Sequence, residues 1–564
     1  MKTTKNIARL AVTAGLTAAL SFGGVMAPVT MTFADGGTTA ANGSVTIENV
    51  VGNTTEFVGY QIFKADVNNG KVANITWAND SVKAAVEGVI KDEEPAYKGK
   101  TAQDAADWIT DNVQGTNDTT RVDSDSAAYK IADAVDGLTA SVTTSNKTVS
   151  GLEHGYWLFV TKPDTIQEGE AGTSPIFTVV GNTPVKVTEK TGIPTVEKKI
   201  VSDADNAEHD AADSQVGQDV TYNLYGTVAE NFDKYDTYFY QFSDQISKGL
   251  TLQDGAKVYL YANKDAAKND LNRTNDTDIT DKFVQTTPTD AAADGSKTTT
   301  WTCNNLKSVN GVTKDSYIVV SYKAQINKGA VVAGTQGNEN TVTLNYSNNP
   351  MSNEHGQTKP DTVKDYTYGL KINKVDLGTE AALDGAKFTI QATGADDDES
   401  KNMYVQADGS LGAEAYQFET ANGGVIDVTG LDAGVYTVTE VSAPSGYTTV
   451  EPFTFKINPT MTADDPDAGL TAVAGELTTS QADKVIAGLT DGKSGDNKLT
   501  AQSESERGTD GTFNITVGDT KQIGLPLTGL NGVTFTWIAG GAVLCIGVAH
   551  LIRSRKQAEE SEQE

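Results

Sequence analysis

Tyr317-Ile318-Val319-Val320-Ser321-Tyr322-Lys323-Ala324-Gln325-Ile326 decides the fold class. Ile318, Val320, Tyr322, Ala324 and Ile326 fall on one face, and a period of two is the side-chain period of a strand. Working outward, Phe57 to Phe63, Tyr156 to Val160, Phe388-Thr389-Ile390 and Val435 to Val441 carry the same β-rich signature. Turn residues (Asn, Asp and Gly) punctuate them at short intervals. Helical spacing of apolar residues occurs from Val82 to Ile90 and from Ala102 to Ile109, both in the first third. The expectation is an all-β chain of tandem immunoglobulin-like sandwiches, with minor helices in the N-terminal domain.

The 564 residues suggest three or four domains at roughly 150 residues each. Residues 35–188 read as a first domain, in which Val45, Ile47 and Val51 open a strand. Pro184 to Pro194 looks like a junction. Residues 189–365 form the middle domain, with polar turn chemistry filling 263–300. Residues 366–522 form a third domain that holds a polar insertion over 461–510.

Both ends carry targeting signals. Lys2, Lys5 and Arg9 precede an apolar stretch from Leu10 to Met26, so residues 1–34 read as a secretory signal peptide. Cleavage after Ala34 is preferred over Ala27, which would leave Pro28 first. Near the other end stands Leu525-Pro526-Leu527-Thr528-Gly529, then an apolar run over 533–552 and the basic residues Arg553, Arg555 and Lys556. That run spans roughly 30 Å as a helix, one hydrocarbon core. The basic residues that follow, in a tail (553–564) with an acidic end, hold it as a transmembrane anchor with the tail in the cytoplasm.

The net charge of −31 argues against a nucleic-acid partner. Of two cysteines, Cys545 lies in the anchor, so Cys303 has no partner for an internal disulfide. Four histidines without clustering give no zinc spacing, and no metal or cofactor is expected. His154, His209 and His355 stand apart in polar contexts, and no nucleophile–base arrangement is visible. An enzyme is not indicated.

Six residues break the binary pattern. Lys198 alternates with Val196 and Ile200, Asp244 with Tyr240, Phe242 and Ile246, and Asn340 with Val342, Leu344 and Tyr346. The third domain repeats the order: Lys374 after Leu370 and Ile372, Glu440 after Tyr436 and Val438, and Asp519 after Phe513, Ile515 and Val517. An unpaired buried lysine is costly, so each needs a partner. An ordinary buried ion pair or a strand end reaching solvent would explain any one of them. The repeated order points to something more specific.

Two resemblances follow. LPLTG, an apolar span and a short basic tail resemble the cell-wall sorting signal of Gram-positive surface proteins, which sortases read as L-P-x-T-G. The segments YQFSDQISKGLTL, GNENTVTLNYSNNP, YGLKINKVD, LDGAKFTI and GVYTVTEVSAPSGY resemble Gram-positive pilus backbone subunits built of collagen-adhesin-like (Cna A-type and B-type) domains. The resemblance implies spontaneous isopeptide bonds. Lys198 would join Asn340 with Asp244 as proton shuttle, and Lys374 would join Asp519 with Glu440 as shuttle. The family usually has Asn in the last strand. Asp519 stands there instead and would condense with loss of water, while the alternative, Asn514, alternates onto the opposite face. Such a link would join first and last strands. In the first domain the equivalent positions are Asn49 and Thr161, neither able to serve, so no isopeptide is expected there.

The sorting signal implies that a sortase thiolate attacks the Thr528 carbonyl and releases Gly529. A lysine of a second copy would then resolve the thioester. The family's pilin motif, V-x-V-Y-P-K, is matched by Val185, Val187 and Lys190, with Thr188 and Glu189 replacing Tyr and Pro. Lys190 is the assigned amine, and Lys186 and Lys199 are competitors. The partners implied are pilin-specific and housekeeping sortases, further copies of the chain, minor or tip pilins, and peptidoglycan. The location implied is the cell wall, after secretion and a membrane-bound precursor. A wall-anchored monomeric adhesin is the alternative.

Overall fold

A computed structural model describes residues 14–20, 25–31 and 42–522. The last range omits 49–53, 69–70, 114–125, 145–147, 168, 174, 189–191, 275–276, 289, 331, 333–336, 395–400, 463–469, 478–497 and 501–510. The expected sorting motif, membrane span and tail lie outside the described residues. Among the described residues no helix is long and apolar enough to cross a membrane. Within the expected leader, Ala14–Leu20 pairs antiparallel with Val25–Met31, and the rest lies outside the described residues.

The first domain stacks three layers. An antiparallel sheet runs in the order Lys71–Trp77, Phe57–Asn68, Gly155–Thr161, Ile176–Val180. One face packs on helices Asp80–Glu93, Ala102–Asn112 and Ala127–Val135 through Ile62, Val86, Ile90, Ile109, Ile131 and Leu158. The other meets a smaller sheet through Val45, Ile47, Phe57, Trp157, Phe159 and Val187. Gly155–Thr161 is therefore covered on both faces, and all seven residues are buried. This is why it reads as an unbroken apolar run and not as an alternation. Gly155 sits at φ +147° against the Phe63 carbonyl, where a side chain would clash. The helices start on polar caps: Asn79 accepts from the Val82 amide at 2.9 Å, and Thr101 with Asp104 forms a capping box. The junction is narrower than expected, because Val185–Thr188 pairs in parallel with Gly43–Glu48 and belongs to the first domain.

The middle domain is a sandwich of two seven-stranded sheets. One holds Val196–Val201, Asp219–Thr227, Tyr317–Ile326 and Lys257–Tyr261 in that order. The other holds Asp361–Tyr366, Asn338–Ser347, Tyr240–Ile246 and Lys297–Cys303. Lys297–Cys303 corrects the expectation of loop up to residue 300. Its Thr-rich sequence hides a core strand in which Thr299, Trp301 and Cys303 point inward. Asp361–Tyr366 runs across the expected domain boundary.

The third domain pairs a four-stranded sheet (Val425–Leu431, Tyr368–Asp376, Thr512–Lys521, Tyr447–Thr448) with a larger sheet centred on Lys387–Gly394, Gly434–Ser442 and Phe453–Met461. The first and last strands, Tyr368–Asp376 and Thr512–Lys521, are parallel neighbours. Part of the expected polar insertion extends the larger sheet, as Leu470–Leu477 and Lys498–Thr500. The middle and third domains are tied by Gln215. Its amide donates to the Gly430 carbonyl at 2.8 Å and accepts from the Asp432 amide at 3.2 Å.

Candidate functional site: two buried lysine clusters

In the middle domain the alternation of Val196–Val201 turns Lys198 into the sandwich, where it has no solvent contact. Tyr240–Ile246 and Asn338–Ser347 face it as neighbours, with Ile246 opposite Asn340. Asp244 and Asn340 therefore project diagonally from one sheet toward a lysine on the other. Lys198 Nζ donates to Asn340 Oδ1 at 2.7 Å and to Asp244 Oδ1. The three side chains assigned from sequence are thus brought together.

Aromatic rings wall the site. Lys198 Nζ lies 5.6 Å from the Tyr222 ring centre and 5.4 Å from that of Tyr322. Trp301 stacks on Tyr322 at 5.4 Å. Burial lowers the Lys198 amine to about 8, against the pull of Asp244. About a tenth of the amine is therefore neutral at pH 7, far more than for an ordinary lysine, and a neutral amine is a nucleophile.

Tyr322 is the residue that sequence reasoning missed. Its hydroxyl donates to Asp244 Oδ2 at 2.5 Å and receives hydrogen bonds from Lys198 Nζ at 3.1 Å and Asn340 Nδ2 at 2.7 Å. On the alternating face it reads as one more apolar position. Its length, which carries the hydroxyl past the ring layer to the polar cluster, was the available signal.

In the third domain Lys374 and Asp519 lie on parallel neighbours, with Asp519 beside Asp376, two residues along from Lys374. Glu440 reaches in from the facing sheet. Lys374 Nζ donates to Glu440 Oε2 at 3.0 Å and to Asp519 Oδ1, and all three side chains are fully buried. Glu440 Oε2 also accepts the Val450 amide at 2.9 Å. Glu440 Oε1 and Asp519 Oδ2 are buried, and the two carboxyls lie within hydrogen-bond reach of each other. Burial raises both carboxyls above their ordinary range, while Lys374 pulls against it. Two carboxyls facing one cation balance their charge by holding a proton. A protonated carboxyl is the form that can lose water. Asn514 is also buried, on the same strand as Asp519.

The two expected links differ in position. Lys374 and Asp519 stand on the first and last strands of their domain. Asn340 does not stand on the last strand of the middle domain, because Asp361–Tyr366 follows it in the same sheet. The expectation of a first-to-last link is corrected there. In the first domain no lysine among the described residues is buried. Thr161 accepts the Thr173 amide at 3.0 Å, and Asn49 lies outside the described residues.

Lys190 also lies outside the described residues. Of its competitors, Lys186 stands on the last strand of the first domain with its side chain 72% exposed, 3.1 Å from Glu48. Lys199 is 17% exposed and held by Asp210 at 2.6 Å and Glu197 at 3.5 Å. Of the two, Lys186 is the more accessible to an acyl-enzyme. Among the described residues no cluster of His, Cys, Asp and Glu is arranged to hold a metal.

The architecture is that of tandem pilin-type sandwiches, and comparisons with known proteins agree. Residues 368–467 match the family of SpaA prealbumin-like fold domains. The chain is 30% identical over 141 residues to the trypsin-resistant surface T6 protein of Streptococcus pyogenes serotype M6, a stretch covering 23% of this chain and 23% of that protein. The chain therefore aligns with about a quarter of that relative's length. The solved T6 backbone pilin of the same organism, described as a modular three-domain structure, superposes with a TM-score of 0.50 at 16% identity. That match covers 86% of this chain and 100% of the other. The full-length major pilin SpaD of Corynebacterium diphtheriae gives a TM-score of 0.45 at 16% identity, over 85% of this chain and 98% of that one. The chain resembles Gram-positive pilus backbone subunits both in its third domain and in its overall fold.

Proposed function

We propose that this chain is the structural backbone subunit of a covalently polymerised surface pilus. Sortase joins Thr528 of one copy to Lys190 of the next, and internal amide bonds lock the subunit. The observation that carries the reading is the repeated cluster of one buried lysine, one carboxyl and one acyl side chain inside sandwiches of pilin fold. A single buried ion pair gains a protein little over apolar packing. Two such clusters in the same order favour a reaction.

In the middle domain, neutral Lys198 Nζ attacks Cγ of Asn340, a proton passes to the departing nitrogen, and ammonia leaves. In the third domain, neutral Lys374 Nζ attacks Cγ of protonated Asp519, protonated Glu440 gives its proton to the departing hydroxyl, which leaves as water, and the Glu440 carboxylate takes the proton that Nζ loses. Each reaction turns over once, so the protein is a substrate of its own fold and not an enzyme. The ends joined are 142 and 145 residues apart in sequence. Closing loops of that length stabilises by about 5 kcal/mol on the loop-entropy model.

Wall extracts of cells carrying the chain and its pilin sortase test the polymer. The expected result is a high-mass ladder on denaturing gels that Lys190→Ala collapses. A ladder unchanged in Lys190→Ala moves the acceptor to another lysine, with Lys186 next. Single-copy material alone from the unaltered chain contradicts polymerisation.

A further inference from the structure

We propose that Tyr322 is a catalytic residue of the middle-domain reaction, relaying the proton from Asp244 to the amide nitrogen that leaves Asn340. The inference rests on the Lys198–Asn340 bond proposed above and adds the route of its protons. Among the described residues, the Asp244 carboxyl reaches Asn340 by hydrogen bonds only through other side chains. Asp244 Oδ1 meets the nucleophile, Lys198 Nζ. Oδ2 meets the Tyr322 hydroxyl at 2.5 Å, and that hydroxyl meets Asn340 Nδ2 at 2.7 Å. The nucleophile and the leaving group are thus joined by a chain, Nζ, Oδ1, Oδ2, the phenol oxygen and Nδ2, and the phenol oxygen also accepts from Nζ at a longer 3.1 Å.

The proton inventory closes along that chain. The reacting form has a neutral Lys198 amine and a protonated Asp244, which hold together the same single proton as the ion pair. Attack of Nζ on Cγ forms the new C–N bond and pushes the carbonyl electron pair onto Oδ1 of Asn340. The nitrogen Nδ2, whose lone pair was spread into the amide, now carries it locally and can accept a proton. Nζ gives its proton to Asp244 Oδ1, and Oδ2 gives its own to the Tyr322 oxygen. The Tyr322 hydroxyl gives its hydrogen to Nδ2. The tetrahedral centre collapses, the Cγ–Nδ2 bond breaks and ammonia departs. Asp244 and Tyr322 end as they began, and nothing is oxidised or reduced.

The surroundings suit a relay and not a base. Burial, with Asp244 beside it, raises the Tyr322 hydroxyl well above the ordinary phenol range, so it keeps its proton between transfers. Stacking of its ring on Trp301 and Tyr222 at 5.4 and 5.5 Å fixes the oxygen in the line. The third-domain cluster needs no such residue, since the Glu440 carboxyl lies within hydrogen-bond reach of the Asp519 carboxyl, the group that loses water. The ring near Lys374 Nζ there is Phe388, at 5.3 Å.

The test expresses the full chain as wild type and as Tyr322→Phe, with samples taken from synthesis onward. After digestion, mass spectrometry quantifies the Lys198–Asn340 joined peptide, and the Lys374–Asp519 peptide is the internal control. General acid–base groups typically contribute 10²–10⁴-fold. The variant is therefore expected to form the first peptide at least about 100-fold more slowly and the second at an unchanged rate. Equal rates for the first peptide overturn the relay and leave the bond standing. Absence of that peptide from wild type overturns the bond itself. Should the variant misfold, 2,3-difluorotyrosine at position 322 preserves shape while making the hydroxyl more acidic. A changed rate of joining supports the relay, and an unchanged rate overturns it.

Discussion

Lys198 reaches across its sandwich to partners on the facing sheet, whereas Lys374 reaches sideways to a parallel neighbour and meets only its acid across the core. The chemistry differs in step. One acyl group is an amide whose nitrogen is served through Tyr322, and the other is a carboxyl in direct contact with lysine beside a second carboxyl. Burial pushes the Lys198 amine toward its neutral form in the middle domain, and the Glu440 and Asp519 carboxyls toward theirs in the third. For the proposed links, position and not chemistry decides which part of each domain would carry tension.

The largest expected difference is mechanical. Under end-to-end tension the third-domain link leaves only residues 520–522 between Asp519 and the end of the domain. In the middle domain, residues 341–366 lie on the load path beyond Asn340. They are held by sheet hydrogen bonds and by contacts such as Asp361 with the Lys198 amide at 2.6 Å. Force spectroscopy should show the middle domain yielding up to roughly 90 Å at 3.3–3.6 Å per residue, with the third domain yielding nothing comparable. Equal extensions would break the comparison.

Next in size is stability. Asn340→Ala removes the middle link and keeps the lysine. The loss should be about 5 kcal/mol, read as a lower melting transition for that domain with the third domain unchanged. The smallest effect is its pH dependence. In the unlinked variant, burial holds the Lys198 amine at about 8 instead of its usual 10.5. Between those values the unfolded chain binds the additional proton, so stability rises with pH across that window. The linked protein has an amide there and lacks this slope, which calorimetry of the two proteins at pH 8 and pH 10 would compare.

Much of this was legible in sequence where one physical rule acted alone. Alternation placed Lys198, Asp244 and Asn340 on inward faces because each of those strands has one wetter side, and Lys374 and Glu440 followed the same rule; Asp519 kept the alternation with Phe513, Ile515 and Val517 although its strand is largely buried on both faces. Tyr322 escaped because an aromatic residue satisfies the apolar pattern while its hydroxyl works elsewhere. Lys297–Cys303 escaped because threonine is both a good strand former and a common loop residue. The parallel pairing of Tyr368–Asp376 with Thr512–Lys521 is a long-range contact with no local signature. The same holds for the strands after Asn340 that shift the middle link away from the end of its domain.

The most direct test of the covalent account is the intact mass of the chain, with peptide mapping to locate any change. The account predicts a deficit of one ammonia and one water, carried by joined peptides Lys198–Asn340 and Lys374–Asp519. A mass equal to that of the unmodified sequence would contradict it.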